Sequence, residues 1–136
     1  MKEILYKAKD LNSSGDWVYG DYLNADGVPK IVDHQNIYVP AKKECFIQMF
    51  EVDGETVCQY TGMKDRDGKK VFENDILSDV YRTVQFIVCY DYKEARFILK
   101  EKNGEIRTMY PVPTLQVIGN KCDEEFEWRL INGELN

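Results

Sequence analysis

The sequence predicts a mainly β protein, an antiparallel meander that closes into a small barrel-like or pseudo-barrel fold. The first observation is that apolar and polar residues alternate along several runs rich in aromatic and β-branched residues. The second is that Asp-Gly and Asn-Gly dipeptides, which favour hairpin turns, separate such runs. The third is that helical patterning is thin, so that only a short C-terminal helix over residues 123–130 is allowed.

In the first half of the chain, the alternation predicts strands over residues 16–23 and 45–52. Residues 30–40 carry two apolar pairs around a polar centre, and we interpret them as short edge strands around a loop. Asp53-Gly54 lies between two β-patterned runs and predicts a tight hairpin, because type I′ turns need positive φ at both central residues.

The second half is predicted as a meander of hairpins. Asp67-Gly68 marks one turn, and the longest β run follows over residues 80–90. Its buried face is expected to hold Val80, Val84, Phe86, Val88 and Tyr90, and Ile87 is expected on the mixed face. A further strand over residues 95–100 leads through Asn103-Gly104 into a third. A last strand is expected over residues 114–119.

Length and composition bound the class of protein. A chain of 136 residues suits a single domain over residues 1–136, with a soft subdivision near residues 60–70 as the alternative. The hydrophobic fraction of 43% excludes a wholly disordered chain. The formal charge of -6 argues against a basic nucleic-acid binder. No apolar run approaches the ~20 residues that span a bilayer, and no export signal is visible, so we expect a cytoplasmic protein without membrane contact.

Residues that could carry catalysis or metal binding are few. The single histidine, His34, lies in a polar stretch without a catalytic signature. Asp65 to Gly68 resembles the opening of a calcium loop, but the twelfth position is Ile76 instead of the required Glu. The cysteines are widely spaced and are interpreted as reduced, half-buried residues: Cys45, Cys58, Cys89 and Cys122. We therefore predict no catalytic residue, metal or other cofactor, and an enzyme built on a carboxylate pair is the least favoured alternative.

One group of residues suggests a weak candidate surface for a partner or a nucleic acid. Its members are aromatic or basic and lie near one another in sequence: Tyr81, Arg82, Tyr92, Lys93 and Arg96. On a sheet face, such residues can stack bases and hold phosphates. The favoured alternative is that the tyrosines pack across strands while the basic groups pair with Asp91 and Glu94.

Residues 60–77, which read YTGMKDRDGKKVFENDIL, resemble the signature of the YopX family of phage and prophage proteins. Met63, Asn74 and Leu77 depart mildly from the usual Leu, Gly and Val of that signature. Asn74 can adopt the same left-handed backbone as Gly. The W-x-Y-G segment that begins at Trp17 and the V-I-G-N segment that ends at Asn120 are similar to the flanking motifs of the family.

The residues that carry the resemblance are interpreted as structural. They are Trp17, Gly20, Tyr60, Thr61, Gly62, Asp65, Gly68, Glu73, Asp75, Ile76, Gly119 and Asn120. Glycines suit turns, and the aspartates suit hydrogen bonds within a loop. A compact turn explains the central motif without a ligand.

The resemblance implies a short phage or prophage protein from a family with no established activity. We therefore expect a non-enzymatic binding or protein-interaction module in the bacterial cytoplasm. Its partner would be a host or phage protein, and homo-oligomerisation is left open. The alternative is a nucleic-acid-binding β-barrel module.

Overall fold

The computed structural model describes residues 3–13, 15–24, 26–39 and 44–123, with the backbone alone for residues 34–39 and 44–47. The described ranges contain eleven strands, and the only helical elements in them are two short 3-10 turns. The predicted mainly β, antiparallel fold is confirmed. The strands form two antiparallel sheets, and neither closes into a barrel within these residues, which is compatible with a pseudo-barrel. The helix predicted over residues 123–130 lies outside the described part of the chain, apart from Asp123.

The chain divides into two compact units, Met1–Gln59 and Tyr60–Asn136. In the first unit the strand order is β4-β3-β2-β1-β5, and all neighbours are antiparallel. The strands are β1 (Tyr6–Lys9), β2 (Trp17–Leu23), β3 (Lys30–Val39), β4 (Glu44–Glu51) and the start of β5 (Cys58–Lys64). An isolated bridge between Asp10 and Val52 also joins the ends of β1 and β4, so this sheet curls towards itself. Ala8, Ile31 and Val52 form its buried core.

The prediction of two short edge strands over residues 30–40 is wrong. β3 is one long strand, interrupted only by a register shift between Asp33 and Ile37. It pairs with β4 on both sides of this shift, and its first residues also pair with β2. Pairing with β4 on both sides thus keeps the polar stretch in the strand, and a bulge between Asp33 and Ile37 absorbs the extra residues. His34 consequently lies in a strand rather than in a loop.

The hairpin predicted at Asp53-Gly54 is also wrong. Gly54 begins a 3-10 helix, Gly54–Thr56, and does not adopt the positive φ of a type I′ turn. The Asp53 carboxylate accepts the Glu55 N–H at 3.0 Å and caps this helix. The chain therefore leaves β4 without reversing onto it, and β5 instead pairs with β1 and with β6.

The second unit contains the rest of β5 and a five-stranded sheet of order β10-β9-β8-β7-β11. Its elements are β6 (Lys70–Phe72), β7 (Asp75–Ser78), β8 (Gln85–Asp91), β9 (Arg96–Glu101), β10 (Ile106–Arg107), a 3-10 helix (Val112–Thr114) and β11 (Gln116–Asn120). The hairpins predicted at Asp67-Gly68 and Asn103-Gly104 are confirmed, and both glycines have positive φ. The core is a cluster of apolar residues: Val71, Leu77, Phe86, Val88, Leu99, Val112 and Leu115.

The long strand predicted over residues 80–90 is shorter, because β8 begins only at Gln85. Residues 79–84 form a turn, which we call the Asp79 turn, and Arg82 within it has a φ of 59°. Val80 and Val84, expected on the buried face, are exposed. Alternation in this stretch was misleading because side-chain hydrogen bonds to Asp79 hold the backbone in a turn.

Candidate functional site

The signature motif folds around the buried carboxylate of Asp65, in the loop between β5 and β6 that we call the signature loop (residues 65–69). One oxygen, Oδ1, accepts the N–H groups of Asp67 and Lys69, both at 2.9 Å. The other, Oδ2, accepts the N–H of Val117 at 2.9 Å. The Arg66 N–H also donates to the Leu115 carbonyl at 2.9 Å. One side chain thus shapes the loop and ties it to β11, which lies about fifty residues further along the chain.

A second network joins the end of the signature to the V-I-G-N segment. The buried carboxylate of Asp75 accepts the Phe72 N–H and the Asn120 side-chain amide, both at 2.8 Å. Asn120 also donates to the Glu73 carbonyl at 3.3 Å and accepts the Cys122 N–H at 2.8 Å. Asn74 has a φ of 70°, the left-handed backbone expected for a position where glycine is common. Motifs 45 residues apart therefore meet in one buried polar cluster.

The remaining signature residues also occupy positions that the fold constrains. Thr61 donates its hydroxyl to the Val71 carbonyl at 2.8 Å, and the rings of Tyr60 and Phe72 are 5.6 Å apart. Gly62 has positive φ at a register shift of the β5–β6 pair. The Gly119 position follows a register shift in β11, and Ile76 is fully buried.

Gly20 of the W-x-Y-G segment permits a close approach of β2 and β3. A Cβ at this position would lie 2.1 Å from the carbonyl oxygen of Val32, a backbone atom that cannot move aside alone. Three residues earlier, the Trp17 ring is flanked by the ammonium groups of Lys7 and Lys9, at 4.2 and 4.4 Å from its centroid. The segment therefore combines a backbone constraint with cation–π packing.

The protein is thus mainly antiparallel β, and the buried carboxylates of Asp65 and Asp75 join the central signature to the V-I-G-N segment. A family model described as YopX protein matches residues 6–124, which is most of the chain. The chain therefore belongs to the YopX family, as its signature predicted. No curated protein matches it.

The structure does not bring the five residues of the candidate surface together. Tyr81 and Arg82 lie in the Asp79 turn before β8, whereas Tyr92, Lys93 and Arg96 follow β8. A strand of seven residues separates the two groups by roughly 20 Å. Two separate turns are therefore the candidates, one at each end of β8.

The Asp79 turn is held by its first residue. The Asp79 carboxylate accepts the N–H groups of Thr83 and Val84 at 2.7 and 3.1 Å, and also the Thr83 hydroxyl. The Arg82 N–H donates to the Asp79 carbonyl at 3.1 Å. The hydrogen bond from the Thr83 hydroxyl, followed by those from the backbone, holds the pKa of Asp79 below its ordinary value. Asp79 is not among the residues predicted above, although an Asp four residues before a Thr is a pattern that allows such a loop.

The Asp79 turn displays its central side chains to solvent. Tyr81 is 83% exposed and Val80 is 58% exposed, while Arg82 is exposed beside them. An open groove of about 660 Å³ runs beside the turn, between residues 82–85 and residues 101–103. The turn thus presents an aromatic, an aliphatic and a cationic side chain together, on a backbone that is held by hydrogen bonds to Asp79.

The turn after β8, residues 92–95, is built around aromatic rings. Tyr90 contacts Tyr92 and Phe97 edge to face, with centroids 4.9 and 5.1 Å apart. Tyr92 nevertheless remains 85% exposed, and Lys93 and Arg96 are exposed as well. The Asp91 carboxylate accepts the backbone N–H groups of Lys93 and Glu94 at 3.0 and 3.4 Å, so this acid orders the backbone of the turn.

Other reactive groups are dispersed. Among the described residues, no group of three or more His, Cys, Asp or Glu could hold a metal ion. Burial raises the pKa of the half-buried Cys89 thiol, which keeps it protonated at neutral pH. No helix in the described ranges is long and apolar enough to cross a membrane.

Proposed function

We propose that this chain is a non-enzymatic protein-interaction module of a phage or prophage, acting in the cytoplasm of the bacterial host. The Asp79 turn is its partner-binding element, and a host or phage protein is its partner. The single observation that supports this is the 83% exposure of Tyr81 at the tip of a turn held by a carboxylate. Membership of the YopX family supports the phage or prophage origin.

The chemistry of the turn favours a protein partner. Tyrosine and arginine are the residue types that most often dominate binding energy in protein interfaces, and Tyr81 and Arg82 are adjacent. A turn that is already ordered loses little conformational entropy when it binds. Because Asp79 orders the backbone without covering Tyr81, binding energy can go into contacts with the partner.

The test is affinity capture with matched variants. The tagged protein, its Tyr81→Ser variant and its Tyr110→Ser variant are incubated with lysate of a lysogenic host, with and without nuclease. Tyr110 is 88% exposed and controls for the loss of an exposed tyrosine. We expect a defined protein that resists nuclease and is retained by the wild type and Tyr110→Ser but lost with Tyr81→Ser. Equal capture by all three forms, or capture that nuclease abolishes, would contradict the proposal.

A second candidate function is nucleic-acid binding at the turn over residues 92–95. The exposed Tyr92 ring lies beside the exposed basic residues Lys93 and Arg96, a combination suited to base stacking and phosphate contact. The neighbouring acids Asp91 and Glu94 weigh against it, because they offset the two positive charges.

A further inference from the structure

The sheet edges of the described residues differ in how they are protected. β6 and β10 are short, with three and two residues. β11 is covered by the signature loop, because its Val117 N–H donates to Asp65. β4 is different: it has eight residues, lies at the end of its sheet, and contains no Pro, Gly or Lys. Among the described residues, its outer side meets the end of β1 only at the bridge that follows the strand. Long edges without such residues are the ones that pair with another chain.

The backbone hydrogen bonds define which groups of β4 point away from β3. The Val52 N–H, just after the strand, donates to the Pro29 carbonyl at 3.1 Å, so even-numbered residues turn their polar groups towards β3. The Glu51 carbonyl accepts the Leu11 N–H at 3.0 Å on the opposite side. The extra residues of the register shift lie on β3, where Asp33 to Ile37 spans four steps against two on β4, so the alternation of β4 continues through it. Cys45, Ile47 and Met49 therefore direct their N–H and C=O groups outward. Met49 is also 54% exposed.

We propose that two copies of this chain associate by antiparallel pairing of their β4 strands about a two-fold axis at Ile47. In such a dimer, the outward N–H and C=O groups of one β4 strand bond to the outward groups of the other. Because these groups belong to odd-numbered residues in both copies, odd-numbered residues lie opposite odd-numbered residues. A register with Glu44 opposite Glu51 would pair even-numbered residues with odd-numbered ones. The outward groups of one copy would then face residues of the other copy whose groups point towards β3. This register therefore does not form, and the contact between two like charges is avoided. A register centred on Gln48 would need the outward groups of Glu51, whose carbonyl already accepts the Leu11 N–H.

The Ile47 register places Cys45 of one copy opposite Met49 of the other. It joins two sheets into one continuous sheet and satisfies the outward groups of all three residues. The pairing uses a different unit from the Asp79 turn, so it stands or falls independently of the proposed function.

The first test is sedimentation velocity of the full chain across a wide concentration range. We expect a concentration-dependent dimer for the wild type and a monomer for Met49→Pro. Proline at this position removes an outward N–H and leaves the bonds to β3 in place. Met49→Val keeps the N–H and is expected to dimerise. A wild type that stays monomeric throughout, as expected if the edge serves a strand of another protein, or a Met49→Pro variant that dimerises normally, would overturn the proposal.

The second test fixes the register and does not depend on how well the proline variant folds. In Met49→Cys, the new cysteine lies directly opposite Cys45 of the other copy, and the Cα atoms of such a hydrogen-bonded pair are about 5.5 Å apart, a separation that a disulfide can span. Mild oxidation is expected to give a covalent dimer that reducing agent reverses. Gln48→Cys, which faces Phe46 in this register, serves as the matched control and is expected to stay largely monomeric on a denaturing gel. Equal cross-linking of the two variants, or none in Met49→Cys, would overturn the Ile47 register.

Discussion

At the residue scale, two buried carboxylates in the second unit each hold several hydrogen-bond donors in place. Asp65 satisfies three backbone N–H groups with one carboxylate, and Asp75 holds Phe72 and Asn120. Buried backbone donors are costly when they are left without an acceptor. These contacts give Asp65 and Asp75 of the signature a structural role.

We expect Asp65→Ala to lower the free energy of unfolding by about 3 kcal/mol, because three N–H groups lose their acceptor and water replaces it only in part. Urea denaturation measures the change. The matched control is Asp67→Ala in the same loop. Asp67 is exposed, and its Oδ1 lies 3.9 Å from the Arg66 Nε, a long contact between exposed groups. The effect of this substitution should stay within about 0.5 kcal/mol. Similar small effects of both substitutions would show that Asp65 does not hold the loop.

At the element scale, the turns decide which strands exist. Asp79 converts residues 79–84, which are patterned as a strand, into a turn that presents Tyr81. Asp53 caps a 3-10 helix where a hairpin was predicted. In both places a short acidic side chain competes with the ladder for backbone N–H groups, and this competition is local enough to override alternation.

The Asp79 turn should open in acid. The pKa of Asp79 is lowered in the folded state, so its stabilising effect is complete above the ordinary value of 3.8 and is lost as the pH falls through the lower folded value. We expect the Thr83 and Val84 amide resonances to shift in this acidic range in an NMR titration. Asp79→Asn should remove the transition, whereas Asp91→Asn, at the other end of β8, should keep it. A transition that persists in Asp79→Asn would assign it to another group.

At the scale of the whole molecule, charge bears on the choice between the two candidate functions. The chain carries 24 acidic and 18 basic residues. Nucleic-acid affinity depends on neutralising phosphates, and a net charge of -6 opposes it at long range.

We therefore expect no measurable binding of a labelled single-stranded oligonucleotide at physiological salt, by fluorescence anisotropy. Lys93→Glu with Arg96→Glu should leave that result unchanged. Tight binding that weakens steeply with salt and is lost in this double variant would instead favour the nucleic-acid function at the turn over residues 92–95.

The sequence by itself determined the mainly β class, the hairpins at Asp67-Gly68 and Asn103-Gly104, and membership of the YopX family. These features depend on short-range periodicity, on positive φ at glycine, and on a local motif. Even the left-handed backbone at Asn74 could be predicted, because the signature and the chemistry of asparagine agree there.

Only the tertiary structure decided where strands end and which residues meet. β3 runs through a polar stretch because β4 pairs with it on both sides of the bulge. Ile87, expected on a mixed face, is buried, and Asp75 contacts Asn120 across 45 residues. Tyr81 and Tyr92, which were predicted to share one surface, lie in different turns because β8 runs between them. Pairing partners and hydrogen bonds between distant residues set these outcomes, and a single sequence carries no local signal for either.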